Sequence, residues 1–228
     1  MDAYMGRILR VDLSAGQIWD EPLHEGYARA FVGGSGLAAR YVYDMVDRNT
    51  DPLGPQNPLV FMTGPLVGTA MPSASRFSVC AVSPLTGIWG EANSGGFFGH
   101  ELRASGYDGL IITGRAESPV WLSIVDGQAA LHPAVQLWGL DSYQTQVQVR
   151  EALGLPKARV ACIGQAGEKL VKMAAVMNDD GRAAGRTGMG AVMGSKNLKA
   201  IAVHGSAKVP LANPEGFTAA VRAILGIS

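Results

Sequence analysis

The stretch Asn93-Ser94-Gly95-Gly96-Phe97-Phe98-Gly99 decides the fold, because the chain contains a counterpart to it in Ala183-Ala184-Gly185. Each stretch is followed by a glycine-bearing helical segment and then by a short apolar strand that ends in glycine, at Gly114 and at Gly205. A recurring order of elements is the signature of an internally duplicated fold. The sequence therefore predicts two halves built on one plan.

The segments upstream of the two stretches also correspond to each other. Alternation of apolar and polar residues predicts a hairpin at 6–19, and a second is predicted from Val120 with its turn at Asp126-Gly127. Further matching pairs are helices at 37–46 and 143–153, strands at 59–64 and 160–164, and strands at 77–82 and 172–176. We predict an α+β fold of two pseudo-symmetric β-sheet halves with short helices, at about 5–114 and 119–205. Each half follows the order hairpin, helix, strand, strand, loop, helix, strand.

The composition restricts the class of protein. Thirty of the 228 residues are glycine, whereas the usual fraction is about 7%, and the glycines follow no collagen-like period. Hydrophobic residues make up 47% of the chain and charged residues 17%, so a core can be buried. The 19 basic and 19 acidic residues balance, which argues against nucleic acid as a partner.

The cysteines and the apolar runs indicate the cellular setting. Cys80 and Cys162 are too few for a disulfide scaffold or an iron–sulfur cluster, and each lies in an apolar run that favours a buried thiol. No stretch approaches the roughly 18 continuous apolar residues of a membrane span, and no signal-peptide pattern begins the chain. We expect a cytoplasmic protein without a membrane partner.

Both glycine-rich stretches are candidate anion sites. A helix N-terminus presents unpaired N–H groups and a favourable dipole to a phosphate, and arginine adds a planar charged fork. Arg76 precedes the strand that leads to the first loop, while Arg182 and Arg186 flank the second. Because the duplication places both loops at equivalent ends of the halves, one bisphosphate-like ligand or two related phosphorylated ligands are predicted.

The glycines and arginines of the two loops also have a purely structural interpretation, as an alternative to anion binding. The glycines then serve only tight turns, and the arginines pair at the surface with Glu91, Asp179 and Asp180. Neither loop has the Walker A pattern or the dinucleotide fingerprint, although a nucleotide-binding protein of another kind stays open. The four histidines are scattered without metal-ligand spacing, and no catalytic residue is assigned.

The pattern changes after Gly205. Residues 208–212 are typical of a linker, and Asn213-Pro214-Glu215 predicts the capped start of a helix. That helix ends at Gly226-Ile227-Ser228 with its apolar face uncovered. We predict a cofactor-binding domain at 1–207, followed at 208–228 by a linker and the truncated start of a further helical domain.

A series of short motifs runs along nearly the whole chain. They are 64–69, 75–77, 83–87, 92–99, 106–109, 163–168, 177–179, 182–186 and 188–203. In this order they resemble the N-terminal domain of the tungsten-containing aldehyde ferredoxin oxidoreductases. The resemblance implies oxidation of aldehydes to carboxylates at a tungsten or molybdenum centre held by two pterins, with electrons passed through a [4Fe–4S] cluster to ferredoxin.

The resemblance also implies site residues. Arg76, Asn93 and Gly95 would serve one pterin, and Arg182, Ala183, Gly185 and Arg186 the other. A Mg²⁺ ion would lie between the pterin phosphates, held by the backbone carbonyls of Asn93 and Ala183. Carbonyl, phosphate and water ligands suit this hard ion.

The sequence departs from the family in one respect. The family's cluster cysteines and Asp-rich pterin motifs lie in later helical domains, and Cys80 and Cys162 do not match them. We therefore expect the [4Fe–4S] cluster only in C-terminal domains, half of a cofactor cradle here, and no activity from this chain alone. Partners would be those domains and ferredoxin, and a homo-oligomer is compatible with the resemblance. The alternative is a separately encoded pterin-binding or oligomerisation module without catalytic activity.

Overall fold

The computed structural model describes residues 1–226, which form two six-stranded mixed sheets and seven α-helices. Ile227 and Ser228, the end of the predicted 208–228 segment, lie outside the described residues.

The elements follow the predicted duplication. The first half contains β1 (Arg7–Asp12), β2 (Gln17–Pro22), α1 (Glu25–Phe31), α2 (Gly34–Met45), β3 (Leu59–Thr63), β4 (Phe77–Val82), β5 (Trp89–Ser94), α3 (Phe98–Ala104) and β6 (Gly109–Thr113). The second contains β7 (Val120–Val125), β8 (Gln128–Pro133), α4 (Ser142–Leu153), β9 (Arg159–Cys162), α5 (Gln165–Glu168), β10 (Val176–Asn178), β11 (Arg182–Ala184), α6 (Met189–Ser195) and β12 (Leu198–His204). Helix α7 (Pro214–Leu225) follows, and the Asn213 side chain accepts a hydrogen bond from the Gly216 N–H at its start, as predicted.

The two sheets have the same topology. The strand order is β2-β1-β6-β3-β4-β5 in the first sheet and β8-β7-β12-β9-β10-β11 in the second. In the first sheet β1 pairs in parallel with β6, and in the second sheet β7 pairs in parallel with β12. All other neighbouring strands in the two sheets are antiparallel. The predicted α+β class and the two matching halves are confirmed.

Three local predictions differ from the structure. The segments predicted as loops after the fourth strand of each half contain edge strands, β5 and β11. The strand predicted at 172–176 is wrong, because β10 begins only at Val176 and the N–H of Ala174 closes a turn onto the Val171 carbonyl. Helix α1, which the sequence analysis did not predict, begins at a cap formed by the His24 side chain.

One hydrophobic core is shared by the two halves. It combines Phe61, Phe77 and Phe98 of the first half with Ile201 and Val203 of the second, all with at most 1% of their surface exposed. Helix α3 contacts β9 and β12 of the other half, and α6 contacts β3, β4 and β5. Separate clusters pack α1 and α2 on the first sheet and α4 on the second. Each half therefore contributes a helix to the layer between the sheets.

Two cysteines and two lysines are buried in this framework. Cys80 and Cys162 are free thiols with no exposed surface, as predicted, and burial raises the pKa of both, that of Cys162 to about 12. Lys199 donates to the Leu140 carbonyl at 2.8 Å and pairs with Glu168 at 2.5 Å. Lys196 instead donates to the carbonyls of Pro55 and Gly114, both at 3.3 Å. Burial lowers the pKa of Lys196 to about 7.

We expect Lys196→Met to remove a pH dependence of stability. Because the folded pKa of about 7 lies below the ordinary 10.5, the unfolded chain binds more protons between these pH values. The free energy of unfolding should then rise with pH across this window, by at most about 1.4 kcal/mol per pH unit. Urea unfolding at several pH values between about 7 and 10 measures the slope, and an equal slope in the variant would contradict the assignment to Lys196.

A helix that crosses a lipid bilayer must be both long and apolar. Across residues 1–226, no helix combines these two properties to the degree required.

Candidate functional site

The two predicted loops begin on neighbouring edge strands. Strands β5 and β11 end their respective sheets and contact each other. Asn93 and Ala183 are each the second-to-last residue of their strand, and both are exposed, whereas the residues that follow them, Ser94 and Ala184, are buried. The duplication therefore brings Asn93 and Ala183 to equivalent points of two adjoining sheet edges.

Two predicted arginines lie at this junction. The guanidinium of Arg76 donates from Nη1 to Asn93 Oδ1 at 2.6 Å. Arg182 reaches the first half, because a Cβ placed on Gly95 would lie 3.5 Å from its Nη1. Four of the predicted residues, Arg76, Asn93, Gly95 and Arg182, thus belong to one continuous group, with Ala183 next in the chain.

The remaining predicted residues extend this group along the second half. Gly185 and Arg186 follow β11 directly, and both are exposed. Within residues 1–226, no acidic side chain forms an ion pair with Arg76, Arg182 or Arg186. These three guanidinium groups therefore form no ion pair within the described residues and can interact with an anionic ligand.

The alternative prediction, that the site arginines pair at the surface with Glu91, Asp179 and Asp180, is not met within residues 1–226. Asp179 pairs with Arg159 at 3.4 Å, and Asp180 pairs with Arg150 at 2.9 Å. Glu91, the third acid considered, lines a cleft beside Asn93. Asp179 and Asp180 thus pair with other arginines, and Glu91 forms no ion pair within the described residues.

The cleft beside Arg76 and Asn93 has a volume of about 540 Å³. Its walls come from the turn before α2, the segment after β3, and the face of β4 and β5, and they include Val32, Pro65 and Leu66. Gly33 is required there, since a Cβ on it would lie 2.8 Å from both the Gly64 Cα and the Thr63 carbonyl oxygen. The cleft thus combines apolar walls with the guanidinium of Arg76 and the carboxylate of Glu91, a lining that suits an organic ligand with polar groups.

The predicted binding of an anion at the helix N-termini stays a prediction, and three of the N–H groups there are already bonded within the chain. At the start of α3, the N–H groups of Phe97 and Phe98 donate to Asp179 Oδ2 at 2.7 and 3.1 Å. At the start of α6, the N–H of Gly190 donates to the Ala174 carbonyl at 2.9 Å. Because a carboxylate and a carbonyl occupy these three N–H groups, the candidate anion site relies mainly on the guanidinium groups of the arginines.

Sequence reasoning missed Asn178 as part of this site. Its side chain is fully buried, accepts the Ser94 hydroxyl at Oδ1 over 2.7 Å, and donates from Nδ2 to the Gly95 carbonyl over 2.9 Å. The motif at 177–179 marked this residue in the sequence. Its contacts, however, cross to the other half, and a local sequence pattern does not show such contacts.

A metal site built from side chains is not found in the part of the chain that the structure describes. No three His, Cys, Asp or Glu residues there come together in a way that could hold a metal ion. The Mg²⁺ ion predicted at the backbone carbonyls of Asn93 and Ala183 stays a prediction.

Two matching α+β halves with one shared core place the chain in the class of internally duplicated domains. Residues 8–205 match the family described as "Aldehyde ferredoxin oxidoreductase, N-terminal domain", and the chain belongs to this family of oxidoreductases. The resemblance stated from the motifs is confirmed.

Curated relatives of this chain are named as tungsten-containing enzymes. The chain is 48% identical over 217 residues to the "Tungsten-containing aldehyde ferredoxin oxidoreductase" of Pyrococcus furiosus, covering 95% of this chain and 36% of the relative. It is 46% identical over 217 residues to the protein of that name from Thermococcus kodakarensis, with coverage of 95% and 36%. The chain thus spans about a third of the length of these relatives.

A solved structure shares the whole fold. It is described as "Active site complex BamBC of Benzoyl Coenzyme A reductase in complex with 1,5 Dienoyl-CoA". The TM-score is 0.97 at 34% identity, and the match covers 99% of this chain and 34% of that one.

Proposed function

We propose that this chain is the cofactor-binding domain of a tungsten-dependent oxidoreductase that acts on aldehydes, and that it cradles a bis-pterin cofactor. The observation that carries the proposal is the meeting of Arg76, Asn93 and Gly95 with Arg182 across the junction of β5 and β11. Membership of the family and the description of its relatives as tungsten-containing support it.

The residues present fit such a cofactor. A pterin dithiolene carries a phosphate, and guanidinium groups that form no ion pair, beside a cleft with apolar walls, suit a phosphate attached to a planar ring system. Arg76 uses one of its five donors on Asn93, so the others are free to bind phosphate oxygens. Arg76, Asn93 and Gly95 would hold one pterin, and Arg182, Ala183, Gly185 and Arg186 the other.

The activity belongs to a longer assembly in this proposal. When bound, the tungsten centre supplies the two-electron oxidation of an aldehyde to a carboxylate. This chain would bind and orient the cofactor, with Mg²⁺ between the phosphates at Asn93 and Ala183, and would be inactive alone. Further domains would supply the [4Fe–4S] cluster and the contact with ferredoxin.

The double variant Arg76→Ala/Arg182→Ala tests the cradle. Because hydrogen bonds from a charged donor contribute about 1.5 to 3 kcal/mol each, we expect the double variant to lose at least about tenfold in cofactor content. The chain is expressed with tungstate in a host that makes the pterin. Tungsten is then counted per folded chain by mass spectrometry, and pterin by the fluorescence of its oxidised derivative.

Arg222→Ala is the matched control, because it removes an exposed arginine of α7, which lies outside both halves. It should load tungsten as the wild type does. Equal loading of the double variant would refute the assigned residues. A wild-type chain without tungsten or pterin, but stabilised against heat by ATP or NAD, would refute the function in favour of a nucleotide-binding protein.

A further inference from the structure

The turn between β10 and β11 reaches across to the other half of the molecule. Asn178, the last residue of β10, and Asp179, the first residue of the turn, make four hydrogen bonds of 2.7 to 3.1 Å to the segment Ser94–Phe98. Asn178 Nδ2 also donates to Asp179 Oδ2 at 2.8 Å, so the two side chains act as one unit. The segment they hold starts directly after Asn93 and contains Gly95.

The bridge is buried. Asn178 has no exposed surface, and the side chain of Asp179 is 7% exposed. The Asp179 carboxylate satisfies two N–H groups at the start of α3, a position where a negative charge is favourable. Arg159 pairs with its second oxygen at 3.4 Å and lies over the Phe97 ring.

The same turn carries Arg182 to the site. Residues 179 and 180 have left-handed backbone angles, with φ of 44° and 60°, and the chain then enters β11 at Arg182. A Cβ on Gly96 would lie 2.9 Å from Arg182 Cδ and 3.0 Å from Asp179 Cγ. Asp179 and Arg182 therefore both pack against Gly96, and Arg182 also lies beside Gly95.

We infer that Asn178 and Asp179 are positioning residues for the cofactor site. They fix the Gly95 segment of the first half against Arg182 of the second, so that the two half-sites form together. Asp179 also occupies the α3 N-terminus and thereby directs a ligand phosphate to the arginines. This inference rests on the proposed function, and neither residue touches the ligand in it.

Asp179→Ala tests the inference, with Asp180→Ala as a control matched in backbone strain. Both positions have positive φ, but Asp180 is exposed and pairs only with Arg150. In Asp179→Ala we expect hydrogen–deuterium exchange of the 95–98 segment to rise about tenfold in the cofactor-free chain. Tungsten per folded chain should fall at least about fivefold, since the arginines no longer face a fixed Gly95. Asp179→Asn keeps a side-chain oxygen that can accept hydrogen bonds from the N–H groups of α3. It should therefore restore much of the protection from exchange and much of the tungsten content.

The outcomes separate the positioning role from the proposed function. If the wild type loads tungsten and Asp179→Ala loads as much per folded chain as Asp180→Ala, the positioning role is overturned and the proposed function stands. The positioning role is also overturned if exchange rises but loading is unchanged, because Asp179 is then only a helix cap. If the wild type binds no tungsten, the positioning role and the proposed function are both refuted. Loss of loading in Asp179→Ala, with recovery in Asp179→Asn, supports the inference.

Discussion

Replacing Asp108 by alanine is expected to lower the free energy of unfolding by about 3 to 5 kcal/mol. Asp108 pairs with Arg103 at 2.5 Å, and the two side chains are 1% and 0% exposed. It also accepts the N–H groups of Met5 and Gly6 at 2.9 and 2.7 Å. Burial raises the pKa of Asp108 and lowers that of Arg103, while their mutual attraction opposes both shifts. Without Asp108, a guanidinium remains buried beside the core with no counter-charge.

Urea unfolding followed by circular dichroism measures this loss. Glu25→Ala is the control, because it removes the partner of Arg29 in an ion pair whose side chains are 60% and 74% exposed. Exposed pairs of this kind contribute less than about 1 kcal/mol. A change of that size in Asp108→Ala would mean that Arg103 finds water or another partner.

Gly205→Ala is expected to destabilise the chain by about 3 kcal/mol, because the new Cβ collides with backbone. The atoms it would meet are the carbonyl of Ala104 and the nitrogen of Ser105, directly after α3. A flexible side chain could turn away, but these atoms are held by the N–H of Ser105 bonding to Glu101 and the N–H of Ala207 bonding to Ala104. The end of β12 and the end of α3 would have to separate.

Gly164→Ala is the control for this substitution. A Cβ there meets one atom within 4 Å, the Ser142 nitrogen at 3.9 Å, which is an ordinary contact. Its melting temperature should stay close to that of the wild type, while that of Gly205→Ala falls by several degrees. Equal melting temperatures would show that the two halves can separate at this point without cost.

The duplication was predictable because it depends on the order of elements. Alternation and apolar runs predicted the hairpins, α2, β4 and α4, and the pairing of these elements in sequence predicted the two halves. Strand β5 was missed because its buried positions are Gly90, Ala92 and Ser94, none of which has a large apolar side chain. Hydrophobic periodicity detects large apolar side chains, so a strand that packs through small residues gives no signal.

The site could be predicted only in part, for a related reason. The arginines and glycine loops were visible in the sequence, but which donors remain free depends on contacts across the halves. Asp179 caps a helix that starts at Phe98, far away in the chain, and no local pattern connects them. The motifs at 106–109 and 188–203 were likewise part of the resemblance, yet Asp108, Lys196 and Lys199 are buried in structural contacts.

The pairing of β1 with β6 has a consequence for synthesis. Residues 8–12 lie against residues 109–113, so the first sheet cannot close until residues 109–113 have left the ribosome. Closing so long a loop is slow, and strand edges stay open meanwhile. The inner face of that sheet is completed by α6 and β12 of the second half, which are synthesised later. Until then the nascent chain carries a half-covered apolar surface, to which a chaperone that binds such surfaces could attach.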